Sequence, residues 1–452
     1  MKFIQNGTLF SILFLSVISC KPHEEAAIVR QEIENVLIDN ILRVWFPKIV
    51  DTVDGGFYSN FDAGWNRMPV QEKFIVTQAR GIWTASQAAR LYPDDDRYML
   101  AAEHGFSFLK DTMWDRQYGG FICYYPKNRQ DDLSQYKLAY GNAFAIYSLA
   151  AYYEISNDPA ALELAKETFC WLEKHSHDSM FGGYYNVLSL DGRSALSPDF
   201  NLPGDNYWKS NAVYKDYNSS IHLLEAFTAL YKVWNDSLLG DRLQEMLNIV
   251  RDTMVSHYGY LRLYFYRDWS PVLYADSAEK VQRMNIAIDH VSFGHDIETA
   301  YLILEASSAL GIKNDSISHQ VAKKLVDHTL KTGVDPVNSG IYDAGIDVNG
   351  NDSIVIVTKT KNWWSQSEGL NAMLLFSRLY PEEPVYWQSF IRQWDYIKSY
   401  CIDWKNGDWY IEGLDNSPDA KYQPKANVWK GNYHTARALI NCRNILLNKK
   451  AG

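Results

Sequence analysis

The sequence predicts an all-α fold: an (α/α)6 barrel of twelve helices with short β-hairpins between them. Three observations predict it. A short Gly-aromatic segment recurs six times along the 452 residues, each copy roughly 65–80 residues after the last. One helical pattern precedes every copy and another follows it. The following helices are apolar nearly all round, as helices buried on every side are.

The first pair lies near residues 25–50 and 75–91 and flanks Gly55-Gly56-Phe57-Tyr58. The second, near 96–112 and 138–156, flanks Gly119-Gly120-Phe121. The third, near 158–175 and 217–235, flanks Gly182-Gly183-Tyr184-Tyr185. The fourth, near 238–255 and 291–310, flanks Gly259-Tyr260-Leu261. Gly340-Ile341-Tyr342 divides the fifth pair, near 314–331 and 363–379. Gly407-Asp408-Trp409-Tyr410 divides the sixth, near 384–400 and 433–448.

In each segment glycine permits a tight bend, and the residues after it favour a short strand. Leu224, Phe227, Leu230 and Tyr231 show the three- and four-residue apolar spacing of a helix. Pro93, Pro159, Pro381 and Pro384 fall at helix boundaries. The run Ala143-Phe144-Ala145-Ile146-Tyr147-Ser148-Leu149-Ala150 has no polar face, so the following helices form the inner ring. No low-complexity linker interrupts residues 25–450, which predicts a single domain. An open helical solenoid is the competing architecture.

Composition narrows the function classes. Lys and Arg number 44 against 54 Asp and Glu, a net charge of −10, which disfavours nucleic acid as a partner. Hydrophobic residues at 47% and charged residues at 22% exclude bulk disorder. Fifteen Trp, 31 Tyr and 19 Phe suit stacking on sugar faces, and equally suit a large helical core.

The N-terminus carries an export signal. Lys2 precedes the apolar run Leu9 to Ile18, which is too short to span a bilayer comfortably. It ends Val17-Ile18-Ser19-Cys20, which resembles a bacterial lipobox. Residues 1–20 are therefore expected to be a lipoprotein signal peptide, with lipid on Cys20 as the chain's only membrane contact. That implies an exported protein of a bacterial cell envelope, periplasmic or surface-facing. Cys123, Cys170, Cys401 and Cys442 are scattered without a C-x-x-C, so neither a zinc ribbon nor a redox motif is present.

Polar residues collect where the inner helices begin. They are Arg80; Tyr140-Gly141-Asn142; Asn218 and His222; His295, Asp296 and Glu298; Trp363-Trp364, Gln366 and Glu368; and Trp429, Tyr433 and His434. In a barrel those ends converge on one mouth. His222 and Glu225 are three apart, as are His295 and Glu298, so each pair shares a helix face. Such a pair suits a carboxylate orienting an imidazole; a lone core histidine is the alternative for His222. A metal site fits less well, because di-iron bundles place Glu before His and H-E-x-x-H is absent.

Four segments in this order resemble motifs of the N-acylglucosamine 2-epimerase superfamily, most closely its cellobiose (mannobiose) 2-epimerase branch. They are Asn218-Ser219-Ser220-Ile221-His222-Leu223-Leu224-Glu225-Ala226, Phe293-Gly294-His295-Asp296-Ile297-Glu298, Trp363-Trp364-Ser365-Gln366-Ser367-Glu368 and Trp429-Lys430-Gly431-Asn432-Tyr433-His434. Arg80 with Trp83, and Tyr140-Gly141-Asn142-Ala143-Phe144, resemble earlier blocks. The family's fold is an (α/α)6 barrel. Departures from its pattern are Ser220 for a second His, Tyr301 for Trp, Ser365 for Pro and Asn142 for Gln. They bear on the substrate, with specificity expected at Ser220, Tyr301 and Asn142.

The resemblance implies inversion at C2 of the reducing-end sugar of a β-1,4-linked disaccharide of the cellobiose or mannobiose type. The open-chain aldose acidifies its C2 proton; one base removes it, giving an enediolate, and a proton returns from the opposite face. Histidine, with a pKa of about 6.5, titrates where both steps need it. His295 and His434 are the implied pair, with His434 or its partner also assisting ring opening. Arg80 would stabilise the enediolate with His222 as a neighbouring donor, and Glu298 would orient His295. Tyr140, Asn142, Asn218, Trp363, Trp364, Glu368 and Trp429 would contact the sugar. The scheme requires no metal and no cofactor, and neither a Walker A segment nor a dinucleotide fingerprint occurs. Alternatives are an aldose–ketose isomerase on a free hexose such as mannose, a glycoside hydrolase using Glu298 and Glu368, and a non-catalytic sugar-binding lipoprotein.

Overall fold

The structure, a computed structural model, describes residues 22–125, 136–194, 197, 200, 215–348 and 350–447. Residues 1–20, with the expected signal peptide and Cys20, lie outside the described residues. No described helix is long and apolar enough to cross a membrane.

Among the described residues, twelve helices build the barrel. The outer ring comprises α1 (Pro22–Asn35), α3 (Asp96–Phe108), α5 (Pro159–His175), α7 (Ser237–Asn248), α9 (Ser316–His328) and α11 (Pro384–Tyr396). The inner ring comprises α2 (Ile75–Leu91), α4 (Ala139–Ser156), α6 (Tyr217–Val233), α8 (Phe293–Ala309), α10 (Trp363–Leu379) and α12 (Tyr433–Leu446). Each inner helix packs on the next, and α12 returns to α2, so the ring closes and the open solenoid is excluded. Short additional helices cover Glu279–Met284 and Pro418–Tyr422.

The ring assignment follows from sequence chemistry. Inner helix α4 buries thirteen of its eighteen residues, whereas outer α7 buries four of twelve along one stripe. Outer helices α3, α5, α7 and α9 begin at Asp95, Asp158, Asp236 and Asp315, whose carboxylates accept orphan N–H groups of the first turn. Five outer helices run on into a π-helical turn, at Val36–Leu42, Leu109–Met113, Ile249–Met254, Thr329–Gly333 and Ile397–Cys401. That widened turn feeds the Gly-aromatic bend.

The strands are short and antiparallel. They are β1 (Lys73–Phe74), β2 (Tyr124–Tyr125), β3 (Tyr136–Leu138), β4 (Val187–Ser189), β5 (Lys215–Asp216), β6 (Tyr264–Phe265), β7 (Ala344–Asp347) and β8 (Ile354–Thr358). Strands β7 and β8 form a hairpin within one repeat. The pairs β1–β2, β3–β4 and β5–β6 instead join neighbouring repeats. These links fasten the loops around the mouth.

Five of the six bends are held by a buried ion pair. Asp51 accepts the N–H groups of Val53 and Asp54 at 3.0 Å and pairs with Lys73 at 2.5 Å. Equivalent pairs are Asp115–Lys137, Asp178–Lys215, Asp335–Lys361 and Asp403–Lys425, at 3.1, 3.3, 2.8 and 2.6 Å. The fourth repeat has Ser256 and Val291 at the matching places. Glycine is required beside the pair: Gly120 has φ +70°, and a Cβ there would meet the Trp171 ring at 2.7 Å.

Lys361 is buried against both Asp335 and Asp415. Replacing it by Met strands two carboxylates and is expected to cost about 3–5 kcal/mol in urea denaturation at pH 7. Lys361 helps hold the Asp335 pKa below its ordinary value despite burial. The wild-type advantage from Asp335 is therefore present above the unfolded carboxylate pKa and shrinks as pH falls through the depressed one. A variant as stable as wild type at pH 7 would show that the bend does not depend on the pair.

Candidate active site

The first turns of the inner helices surround a cleft of about 180 Å³. Its walls are Arg80 from α2, Tyr140 from α4, Asn218 and His222 from α6, His295 and Glu298 from α8, Trp363 and Trp364 from α10, His434 from α12, and Trp429 just before α12. The sequence reading named all ten. Two other expected contacts, Asn142 and Glu368, lie behind the wall.

Asn142 is a strut. Its side chain accepts the Phe121 N–H at 2.8 Å and donates to the Leu138 carbonyl at 2.8 Å. Gln78 and Gln366 hold Phe57 and Ile341 in the same way, and Asp296 accepts the Leu261 N–H. Asn142 thus supports the bend and does not face the cleft. Ser220, also buried, donates to the Asp216 carbonyl.

Three histidines face the cleft, each with Nδ1 occupied. His434 Nδ1 lies 2.5 Å from Glu368 Oε1, and His222 Nδ1 lies 2.8 Å from Glu225 Oε2. A carboxylate only accepts, so both Nδ1 atoms carry hydrogen and both Nε2 atoms are left as the proton-accepting positions. Glu368 therefore holds His434 from behind and does not line the cleft. Neutral His222 offers the cleft a lone pair, where a donor was expected. Burial, opposed by Glu225, holds the His222 pKa below its ordinary value.

His295 departs from expectation. Its Nδ1 meets the Ser292 hydroxyl at 2.6 Å, and Glu298 does not bond to it. Glu298 turns inward to Arg437. Sharing a helix face is not enough here, because a buried guanidinium competes for the carboxylate.

Arg437 is the residue that sequence reading missed. It is buried, and its guanidinium donates to Glu225 and Glu298, to Glu368 at 2.8 Å and to the Tyr433 hydroxyl at 2.6 Å. Tyr433 in turn donates to Glu225, and Tyr301 to Glu368 at 2.5 Å. Tyr301 thus supports the network under the cleft. The available signal was an Arg three residues after His434 on an otherwise buried helix. Glu298, Glu368 and His434 lie close enough to hold a cation, but the guanidinium already bonds both carboxylates.

The electrostatics separate the carboxylates and the imidazoles. Burial and the Glu368 charge push Glu298 up, while Arg437 and His434 outweigh burial and hold Glu368 low. Burial, Arg80 and Arg437 pull His434 down to about 3, opposed by Glu368. Burial, the other cleft histidines, His290 and Arg80 pull His295 well down, and its Nδ1 partner is the Ser292 hydroxyl, not a carboxylate.

Arg80 is buried, donates to the Tyr140 hydroxyl at 3.1 Å and lies 4.3 Å over the Phe144 ring; its Nε has no partner. Trp364 stands between the two principal histidines, 4.5 Å from the His295 ring and 6.0 Å from that of His434. Trp429 is 47% exposed, so it is free to cover a ligand at the rim. Two imidazoles, a fixed cation and an aromatic floor form a site for moving protons on a polar organic ligand.

Known proteins carry the same architecture. A cellobiose 2-epimerase of Bacteroides fragilis is 28% identical over 421 residues, covering 91% of this chain and 98% of its own. A D-mannose isomerase of Marinomonas mediterranea is 23% identical, covering 90% of this chain and 95% of its own. The solved cellobiose 2-epimerase of Spirochaeta thermophila superposes with a TM-score of 0.78 at 27% identity, covering 94% and 98% of the two chains. The N-acylglucosamine 2-epimerase (GlcNAc 2-epimerase) family model matches residues 56–438. With its closed double ring of helices and its histidine cleft, this chain belongs to the N-acylglucosamine 2-epimerase family.

Proposed function

We propose that the protein inverts C2 at the reducing end of a β-1,4-linked disaccharide of the cellobiose or mannobiose type. The carrying observation is the pair His295 and His434, held at Nδ1 on either side of Trp364 beside Arg80. His295 removes the C2 proton from the open-chain sugar. His434 returns a proton to the opposite face and, in this reading, assists ring opening. The Arg80 guanidinium faces the enediolate oxygens, where growing charge needs a fixed cation. Asn218 and Tyr140 contact hydroxyl groups, and Trp363, Trp364 and Trp429 pack on sugar faces.

The test is a proton NMR assay in D2O with the chain lacking residues 1–20, incubated with cellobiose and β-1,4-mannobiose. The expected product is the C2 epimer with deuterium at C2. An aldose–ketose isomerase is the second reading, favoured by the D-mannose isomerase relative. It shares the enediolate but protonates C1, so mannose would give a ketose labelled at C1. Cleavage of the disaccharide would overturn both readings.

A pH dependence follows from the site. Burial and Arg80 hold His434 down at about 3, and burial holds His295 well down, so both imidazoles rest neutral with Nε2 able to accept a proton. Activity should therefore hold through neutral pH and fall in acid, as the imidazoles take up protons before substrate binds. Glu368→Gln removes the influence that raises His434, so that limb should move to lower pH. A limb unchanged in kcat/KM profiles would assign the proton elsewhere.

Export and lipid attachment at Cys20 complete the proposal. Cys20→Ser should release the protein from the membrane fraction, and retention there would refute the anchor.

A further inference from the structure

A second cavity, of about 320 Å³, opens at the opposite end of the inner ring. The catalytic cleft uses the first turns of the inner helices, and this cavity uses residues farther along the same helices. Between them stands a wall one side chain thick. Arg437 and Glu225 line the reverse cavity, while their partners Glu298 and His222 line the cleft.

The lining shows what it would take. Arg437 is 2% exposed, and its Nε–H has no hydrogen-bond partner. Neither Glu305 nor Lys232 forms a side-chain hydrogen bond or ion pair within the described chain, and Asn441 is likewise uncommitted. Burial raises the Glu305 pKa to about 7, so near neutrality its carboxyl offers both a donor and an acceptor. Arg90 pairs with Glu154 and Arg437 with Glu225, which leaves Lys232 beside a partly ionised Glu305, so the lining carries little net charge to select an ion. Its volume falls in the range of small-molecule sites.

We infer that the reverse cavity is a second binding site for a small neutral polyhydroxylated compound, a polyol or free monosaccharide, held by Glu305, Asn441 and the Arg437 Nε–H. Alternating donors and acceptors with little net charge match hydroxyl groups, each of which both donates and accepts. The ligand would touch the guanidinium that positions Glu225 and Glu368, so it would rest directly behind His222 and His434. This site does not depend on which sugar the cleft converts.

Equilibrium dialysis of the protein with radiolabelled D-mannitol tests the inference. Mannitol has no carbonyl, so binding is read without turnover and whether or not the cleft epimerises anything. Saturable binding is expected, weakened about tenfold or more by Ala229→Trp, which fills the cavity, and by Glu305→Leu, which removes that donor and acceptor at similar volume. Trp364→Ala in the catalytic cleft should leave it unchanged. Circular dichroism identifies any variant that fails to fold, and the milder Glu305→Leu then carries the result. Absence of saturable binding, or binding lost only with Trp364→Ala, would overturn the inference. So would inorganic phosphate displacing mannitol, because that would mark an anion site.

Discussion

Replacing His434 by Ala is expected to abolish epimerisation, with a fall in kcat of about 10²–10⁴, while disaccharide binding survives. His295→Ala should do the same, for a separable reason. Inversion needs a proton removed from one face of C2 and another returned to the opposite face. With one imidazole deleted, the other can still remove and return a proton on its own face. Each variant should therefore wash deuterium from D2O into C2 without inverting it. The two variants should label different epimers, because the two imidazoles address opposite faces. Labelling of the same epimer by both would sink the two-face arrangement. Undiminished inversion in either variant would remove that residue from the chemistry.

Arg437→Met should be the most destabilising single replacement near the site, by about 3–5 kcal/mol. The guanidinium bonds three buried carboxylates, and all three partners are less than 5% exposed. Methionine fills much of the volume but leaves the Glu225 and Glu368 carboxylates to repel one another away from water and Glu298 without its donor. Glu298 is pushed up by burial and by Glu368, so it already favours the neutral form. Glu298→Gln should accordingly cost far less than Glu368→Gln in the same urea titration. An Arg437→Met chain as stable as wild type, with an unchanged midpoint, would show that the carboxylates find other partners. An equal cost for the two glutamine variants would contradict the separation of their charge states.

The ring of twelve helices was legible because its signal is local and repeated six times. Glycine, aromatic residue and apolar helix face each constrain a few neighbouring residues, and the repeats reinforce one another. The cleft was legible for a related reason: the polar residues sit at one end of every inner helix, and closing the ring brings those ends together. That logic placed Arg80, Tyr140, Asn218, His222, His295, Trp364 and His434 on one wall.

It misjudged residues whose direction depends on other helices. Asn142 shares the right turn of α4 but points to the Phe121 backbone. Glu298 shares a face with His295 yet turns to Arg437, which lies 139 residues away in sequence. Glu368 reaches His434 across 66 residues. The Asp–Lys pairs at the bends were present as letters; those of the first, second and sixth repeats share one sequence separation, but those of the third and fifth do not, so spacing announced only part of the set.

The sequence by itself thus determined the twelve helices, their division into inner and outer rings, and the end at which the polar residues gather; closure of the ring was read from the packing of α12 on α2. The first three follow from periodicity and from residue types within one or two turns. Only the tertiary structure decided which carboxylate serves which imidazole, that one buried arginine ties three of them together, and that a second cavity lies behind it. Those depend on competition among charged groups from different helices in a space without water. There the partner that wins is the one whose charge is best compensated, and no single segment of the chain contains that information.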